Sequence, residues 1–501
     1  MAGQTENSNR SAHVFMAIIA LALIARVITA LISDNFNHPD ENFQILEQAH
    51  RIVFGYGFIP WEFRYSARSW LVPGFMTALL YPFKWFRLDN PSFYIPAIKV
   101  ILSLISIGAV WAAYRIGERW YSVKAGLWAA FFCALWYEII YFSIRPLSDV
   151  WAANIFMVSL ALALSENHNR NIILSGIMAV LAAAIRINYI PVVLAMIVFF
   201  SIEYSSGKRR LYLFSIAVGI VLVAIFDILT LGCPFISYHN IYIIDKSFFM
   251  AGAFGSTLSF DCLFFLGYAS FYFHWLIPVA GLLIVKKNWR ILILIGLILI
   301  SHLLIPAKKH EFDYRYIYLI IPLIMILGGM ILAELNQKFG LKGKSRMLQI
   351  GIFLVISILG AMALLPGQYK VYSQRIFKVY NRTIFYSDPR LEAYKFLNHE
   401  KNMAGVYDAS DLWFRSGGYY YLHRDVPLYY GINPPDSPDY VSHIVTGNNV
   451  PALSGFTLLH SIDNINIFAR SDTTFECRVD SGFTRNIYQP GIDDRYDPDD
   501  F

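Results

Sequence analysis

Asn37-His38-Pro39-Asp40-Glu41-Asn42-Phe43-Gln44 sets two adjacent carboxylates and an imidazole directly after an apolar run from His13 to Ile32. That run can cross a bilayer, which takes about 20 apolar residues. Carboxylates beside a membrane span are costly to keep there and read by default as functional. The start of the chain, MAGQTENSNRSAH, lacks a basic leader and a small-residue cleavage site. Val14–Ile32 therefore reads as a retained first span.

The 501 residues around this stretch are 56% hydrophobic and only 15% charged, the composition of a polytopic α-helical membrane protein. Aromatics make up 16%, enough for interfacial belts and for a groove that meets a lipid or a sugar. The net charge of +6 is spread along the chain, which speaks for loop topology and against a nucleic acid partner. Cys133, Cys233, Cys262 and Cys477 have no metal-ligand spacing.

Apolar runs recur near 14–32, 93–113, 124–142, 150–164, 171–185, 189–202, 211–230, 262–285, 291–305, 314–333 and 347–365, about eleven spans by the length rule. Trp70–Phe86 is apolar too, but Pro73, Gly74 and Pro82 interrupt it, so it reads as a membrane-lying or re-entrant element. With that element not crossing, alternate loops hold Arg115/Arg119/Lys124, Arg170, Lys208/Arg209/Arg210, Lys286/Lys287/Arg290 and Lys338/Lys342/Lys344/Arg346. Those basic loops face the cytoplasm. The opposite face then holds His38–Glu41, Arg145–Asp149, Arg186–Tyr189, Leu231–Asp261 and Lys308–Glu311. The expected organisation is a membrane domain over 1–365, with 33–92 as its first trans-side loop. A small α/β domain over 366–490 and an acidic, disordered tail over 491–501 follow. In the α/β domain Leu391–Glu400 reads as helix, and Ala404–Tyr407, Tyr419–Leu422, Tyr440–Val445 and Ile465–Ala469 read as strands.

Asp40 or Glu41 can take the proton from a hydroxyl that attacks an anomeric carbon. The same residues suit a helix start, with Pro39 at the first helical position and two acids in the first turn. Arg68 suits a phosphate or Glu62. Arg145, Arg186, Lys308, Lys309, His310 and Arg315 suit the negative charge that grows on a lipid-phosphate leaving group. Snorkelling at span ends is the other reading of Arg145, Lys308 and Lys309. His50 reads as packing on its helix, while His423 and Arg424 read as strand-stabilising, with contact to the acceptor as the alternative.

The stretch continues as Glu47-Gln48-Ala49-His50, Phe54-Gly55-Tyr56-Gly57, Trp61-Glu62-Phe63 and Arg68-Ser69. From His38 to Pro73 it resembles the first trans-side loop of glycosyltransferase family 22, the alpha-mannosyltransferases of glycan and glycolipid assembly. Ser143–Asp149 resembles that family's Thr-Arg-x-x-Ser-(Asn/Asp) segment, and Ile185–Asn188 its short Arg-containing turn. Ser301–Tyr316 is similar to its Ser-x-x-x-His-Lys-Glu-x-Arg-Phe stretch, although Ala307-Lys308 stands where the family has His-Lys and Phe312-Asp313-Tyr314 separates Glu311 from Arg315. The resemblance implies a GT-C fold and an inverting transfer of a hexose. The donor would be a polyprenyl- or dolichyl-phosphate sugar, the acceptor a glycan or glycolipid. It implies Asp40 as base, Glu41 as acceptor-orienting group or reserve base, and His38, Arg68, Arg145, Arg186, Lys308, Lys309, His310, Glu311 and Arg315 around donor phosphate and substrate. No cofactor is expected; a metal is not required by this reading, and the carboxylate pair does not exclude one. The bacterial inner membrane is the expected location, with the endoplasmic reticulum membrane as alternative, and the site and C-terminal domain on the periplasmic or lumenal side. The competing function is a transporter or flippase of lipid-linked saccharides, or a non-catalytic scaffold. Its deep charges would be Arg26 and Asp227.

Overall fold

A computed structural model describes residues 2–36, 38–165, 168–250, 273–284, 289–304, 314–363, 387–410, 416–431, 440–447, 454–472 and 483–487. The chain packs as two compact units: Met1–Ile32 with Lys99–Val379, and Ser33–Ile98 with Tyr380–Phe501. Hydropathy grouped the first loop with the spans; packing groups it with the C-terminal domain.

The first unit is a helical bundle. Each of the eleven expected apolar runs coincides with a described helix, at least in part. Among the described residues five helices are long and apolar enough to cross a membrane: Asn9–Ile32, Pro91–Trp120, Ser206–Leu231, Ile320–Lys338 and Lys344–Ala361. Shorter apolar helices include Val123–Leu135, Ser148–Ala163, Asn169–Ile185 and Trp289–Ser301. Burial ranks them. Ile320–Lys338 is 78% buried over its most apolar window, against 17% for Lys344–Ala361. The first is apolar all round and forms the centre; the second leaves most of its surface for lipid. Gly329 allows the close approach of the central helix, since a Cβ there would stand 2.6 Å from the Ala129 backbone nitrogen. Gly176 does the same against Ser215. Small residues bring helices together where lipid supplies no hydrophobic drive.

The expected span over 124–142 is broken. Helix Val123–Leu135 stops at Trp136, which is extended, and Tyr137–Phe142 resumes as a new helix. A break inside a bundle survives only if its backbone groups find partners. Arg26 donates from Nη1 to the Ala134 carbonyl (2.8 Å) and from Nη2 to the Cys133 carbonyl (2.9 Å), with Nε on Ser106 Oγ (3.0 Å). Ser357 Oγ donates to the Leu135 carbonyl (2.8 Å) and accepts the Tyr137 N–H (3.0 Å). Trp136 Nε1 donates to Glu138 Oε2 (2.7 Å), and His274 Nε2 lies 3.1 Å from the same oxygen. Arg26 is thus engaged with backbone, and Asp227 accepts from Ser237 Oγ at 3.0 Å. The segment Leu231–Asp261, expected as a loop, contains a further helix, Ile236–Met250.

The second unit carries a five-stranded sheet: β1 (Val406–Ala409), β2 (Leu428–Tyr430), β3 (His443–Gly447), β4 (Phe456–Ile462) and β5 (Ile465–Arg470). The order is β2-β1-β3-β5-β4. The first three run parallel, and β5 is antiparallel to both neighbours. Helix Pro389–Asn398 opens on Asp388, whose carboxylate accepts the Arg390 N–H at 3.1 Å, with Pro389 at the first helical position. The expected helix and the strands at β1, β3 and β5 are present within a few residues. Tyr419–Leu422, expected as a strand, is helix Gly418–Leu422. The element at Trp70–Phe86 is one helix, Leu71–Trp85, inside this unit. Pro73 sits in its first turn, where no intrahelical partner is needed for a backbone donor.

Replacing Arg26 by Met leaves the Cys133 and Ala134 carbonyls without their donor in a water-free setting. The expected loss is about 2–3 kcal/mol of stability, the cost of orphaned buried acceptors. It is read as a lower unfolding midpoint of the purified protein in detergent.

Candidate active site

His38, Asp40 and Glu41 form a helix start in which each side chain has a different task. His38 is the N-cap, and its Nδ1 accepts the Asp40 N–H at 3.2 Å. Glu41 Oε1 accepts the His38 N–H at 3.1 Å, which closes a capping box. Glu41 is 1% exposed, buried against its own cap. The Asp40 side chain is 25% exposed, with Oδ1 3.2 Å from His38 Nδ1. Two carboxylates adjacent in sequence therefore differ in access, and Asp40 is the more exposed.

A π-helical turn, Asn42–Leu46, follows. Such wide turns are frequent at functional sites. It carries Gln44, whose Nε2 donates to Glu62 Oε1 at 2.5 Å while its Oε1 accepts from Arg68 Nη2. Arg68 is thus tied to Gln44. Burial raises the Glu62 carboxyl to about 7; the Asp40 charge adds to the rise and Arg68 opposes it. Gln44 and Glu62 were not among the expected site residues. Their contact spans 18 positions and has no periodic signal.

Glu47, one helix further on, is fully buried. Its Oε1 accepts the Phe58 N–H (2.9 Å) and the Tyr419 N–H (3.1 Å), and its Oε2 accepts the Tyr420 N–H (2.9 Å). Burial raises its carboxyl to about 7 despite these bonds. The same contacts explain the helix at Gly418–Leu422: the carboxylate caps its first N–H groups, and Gly418 takes φ +55°. His50 Nδ1 lies 3.1 Å from the Tyr56 carbonyl, and its Nε2 3.0 Å from His423 Nδ1. A carbonyl only accepts, so His50 carries its proton on Nδ1 and His423 donates from Nδ1. Arg424 donates to the Asn398 and Glu400 carbonyls. His50, His423 and Arg424 are thus engaged in contacts within this unit.

The first unit holds its own cationic cluster. Arg145, 3% exposed, stands 4.5 Å from the Tyr141 ring centroid. Arg186 Nε donates to Asp149 Oδ1 at 2.7 Å, and Tyr189 donates to the Asp149 carbonyl at 3.0 Å. Arg186 and Arg315 lie 5.1 Å and 4.9 Å from the centroid of one ring, that of Tyr316. Desolvated cation–π contacts of this kind are worth about 2 kcal/mol each. Asp149 and Tyr316 lie in the matched stretches but were not among the expected site residues. A cavity of about 120 Å³ is lined by Leu102, Ile105, Ala109 and Val158 together with Ser143 and Arg145. Lys308, Lys309, His310 and Glu311 lie outside the described residues. Among the described residues no group of three or more His, Cys, Asp or Glu is placed to hold a metal ion.

The solved structure of ArnT from Cupriavidus metallidurans bound to undecaprenyl phosphate matches with a TM-score of 0.58 at 12% identity, over 91% of this chain and 97% of that one. The fold is therefore that of a GT-C membrane protein, integral and multi-pass. Within that class the chain belongs to the Alg9-like mannosyltransferase family, whose family model matches residues 17–387. The GPI alpha-1,2-mannosyltransferase 3 of Mus musculus is 24% identical over 349 residues, 65% of this chain and 60% of that protein. Mannosyltransferase APTG1 of Arabidopsis thaliana is 31% identical over 128 residues, 26% of this chain and 23% of that protein. The chain thus spans less than two thirds of the length of these relatives.

Glu47 and Glu62 each titrate near 7 when folded, against the ordinary value of 4.5. Between those values the folded protein holds protons that the unfolded chain has released, so stability falls as pH rises from about 4.5 to about 7. Glu62→Gln and Glu47→Gln each remove part of that slope. Unfolding midpoints measured across this pH range check it.

Proposed function

We propose that this protein is an inverting mannosyltransferase that moves a mannosyl group from a polyprenyl- or dolichyl-phosphate carrier to a glycan or glycolipid hydroxyl. The observation that carries the reading is the accessible Asp40 carboxylate on a turn fixed by His38 and Glu41. Asp40 takes the acceptor hydroxyl's proton as that oxygen bonds to the anomeric carbon. The bond from that carbon to the phosphate oxygen breaks with the electron pair, so lipid phosphate departs and the configuration inverts. Arg186 and Arg315, with Arg145 and the basic residues of Lys308–Glu311, meet the charge that grows on the departing oxygen. Glu41 holds the turn, and Arg68, through Gln44 and Glu62, supports the acid side of the site. Family membership supports mannose, and the relatives' names fit a glycolipid acceptor.

The reaction is assigned to the periplasmic or lumenal side, opposite the basic loops. A bacterial inner membrane is favoured by the departures from the eukaryotic pattern between Pro306 and Arg315.

Asp40→Asn is expected to lower transfer from a polyprenyl-phosphate mannose by about 10²–10⁴-fold, the usual worth of a positioned base. Binding of the carrier should survive the change. Glu41→Gln keeps a capping acceptor and should cost less than about tenfold, since Gln serves in a capping box. Transfer by Asp40→Asn at near wild-type rate would refute the base. Cysteine tags placed at His38–Glu41 and at Lys308–Glu311 are expected to react from the same aqueous side. Labelling from opposite sides would end the common-site reading.

A further inference from the structure

Tyr316 has no role in the transfer as written, yet two guanidinium groups share its ring. Arg315 Cζ lies 4.9 Å and Arg186 Cζ 5.1 Å from the ring centroid. Arg315 also donates from Nη2 to the phenol oxygen at 3.0 Å. The two guanidinium carbons are therefore at most about 10 Å apart, a span that one phosphate with a ligand on either side can bridge. Both groups are shielded from water: the Arg186 side chain is 11% exposed and Arg315 1%. Like charges this close repel, and the repulsion is least screened where water is scarce. The electron-rich ring face offsets it by attracting each cation. Arg186 is fixed a second time by Asp149 at 2.7 Å. Arg315 is fixed a second time by the Tyr316 hydroxyl. The backbone adds a further constraint, because Arg315 and Tyr316 belong to one 3₁₀ turn, Tyr314–Ile317, directly before the buried helix Ile320–Lys338.

We propose that Tyr316 is a positioning residue whose ring, with the hydroxyl as a minor second hold on Arg315, sets Arg186 and Arg315 at the spacing that clamps the phosphate of the lipid carrier. The inference rests on the reading of the chain as a lipid-phosphate-dependent transferase. It adds which side chain gives the cationic site its shape. Tyr316 touches neither sugar nor phosphate in this scheme; it acts through the two arginines. The ring serves both arginines and the hydroxyl only one. The two parts can therefore be removed separately.

The test uses the purified full chain, with sugar-free polyprenyl phosphate as the binding probe and a polyprenyl-phosphate mannose for turnover. Tyr316→Leu is expected to weaken polyprenyl phosphate binding by about tenfold or more and to raise donor KM in parallel, with acceptor KM unchanged, since the phosphate contacts are lost in ground and transition state alike. Tyr316→Phe keeps the ring and should stay within about threefold of wild type in both readouts. If Tyr316 only packs, Tyr316→Leu lowers the unfolding midpoint and the active fraction, while the Kd for polyprenyl phosphate and both KM values hold; that result overturns the proposal. Loss as large in Tyr316→Phe as in Tyr316→Leu also overturns it, because the ring would then carry nothing. If the wild-type protein binds polyprenyl phosphate no better than a neutral polyprenol, the transferase reading itself fails, and this inference fails with it.

Discussion

The second unit depends on one buried carboxylate. Glu47 takes N–H groups from Phe58, Tyr419 and Tyr420, so a single side chain joins segments more than 370 residues apart in sequence. A carboxylate with no access to water is expensive, and three backbone donors aimed at it are what make the position tolerable. Much of the local structure follows. The first loop packs with the C-terminal domain because its anchor lies there. Gly417-Gly418-Tyr419-Tyr420 turns into a helix because the carboxylate meets its first amides. Around the latch, His50 and His423 form a second bond, and Tyr94 donates to the Tyr420 carbonyl. The turn that presents Asp40 ends six residues before Glu47 and is held at both ends, by its own capping box and by this latch.

What could be read without the structure depended on range. Apolar runs are local and strong, so each expected span coincides with helix. Pro39-Asp40-Glu41 is local too, and its two readings, helix start and acid site, prove compatible: the cap consumes Glu41 and keeps Asp40 accessible. The break at Trp136 was invisible, because residues 124–142 are apolar throughout and the groups that permit the break come from positions 26, 274 and 357. Tyr419–Leu422 looked like a strand because a run of tyrosines favours one; a carboxylate far away in the chain overrode the preference. β4 escaped because most of its residues are exposed and show no alternation of burial. The contacts of Gln44, Asp149 and Tyr316 were hidden for the same reason. Each acts through a partner that only folding brings close.

Neighbouring acids in an enzyme are separated by environment more than by type. Asp40 and Glu41 differ by one methylene, yet one is a quarter exposed and the other is sealed within its cap. Glu62 is a third case, a buried carboxyl held partly neutral near pH 7 by desolvation and by the Asp40 charge. Asp40 therefore gains a neighbour that does not compete with it for a positive partner while Glu62 keeps its proton. Gln44 bonds to both Arg68 and Glu62, and the Arg68 charge acts on Glu62 against its burial.

The charged groups deep in the bundle argue against a transport pathway on the same grounds. A translocating site needs ionisable groups that can exchange partners with a passing solute. Arg26 is committed to two carbonyls and a hydroxyl at a helix end, and Glu138 to an indole and an imidazole at the same break. Both would have to abandon backbone or side-chain partners in a water-poor core before they could bind anything, at a cost of several kcal/mol for each charge. Deep polarity here serves the fold. By contrast Arg186 and Arg315 rest on a tyrosine face. Cations held by a ring face and cations held by backbone carbonyls at a helix break are thus two different environments in this chain.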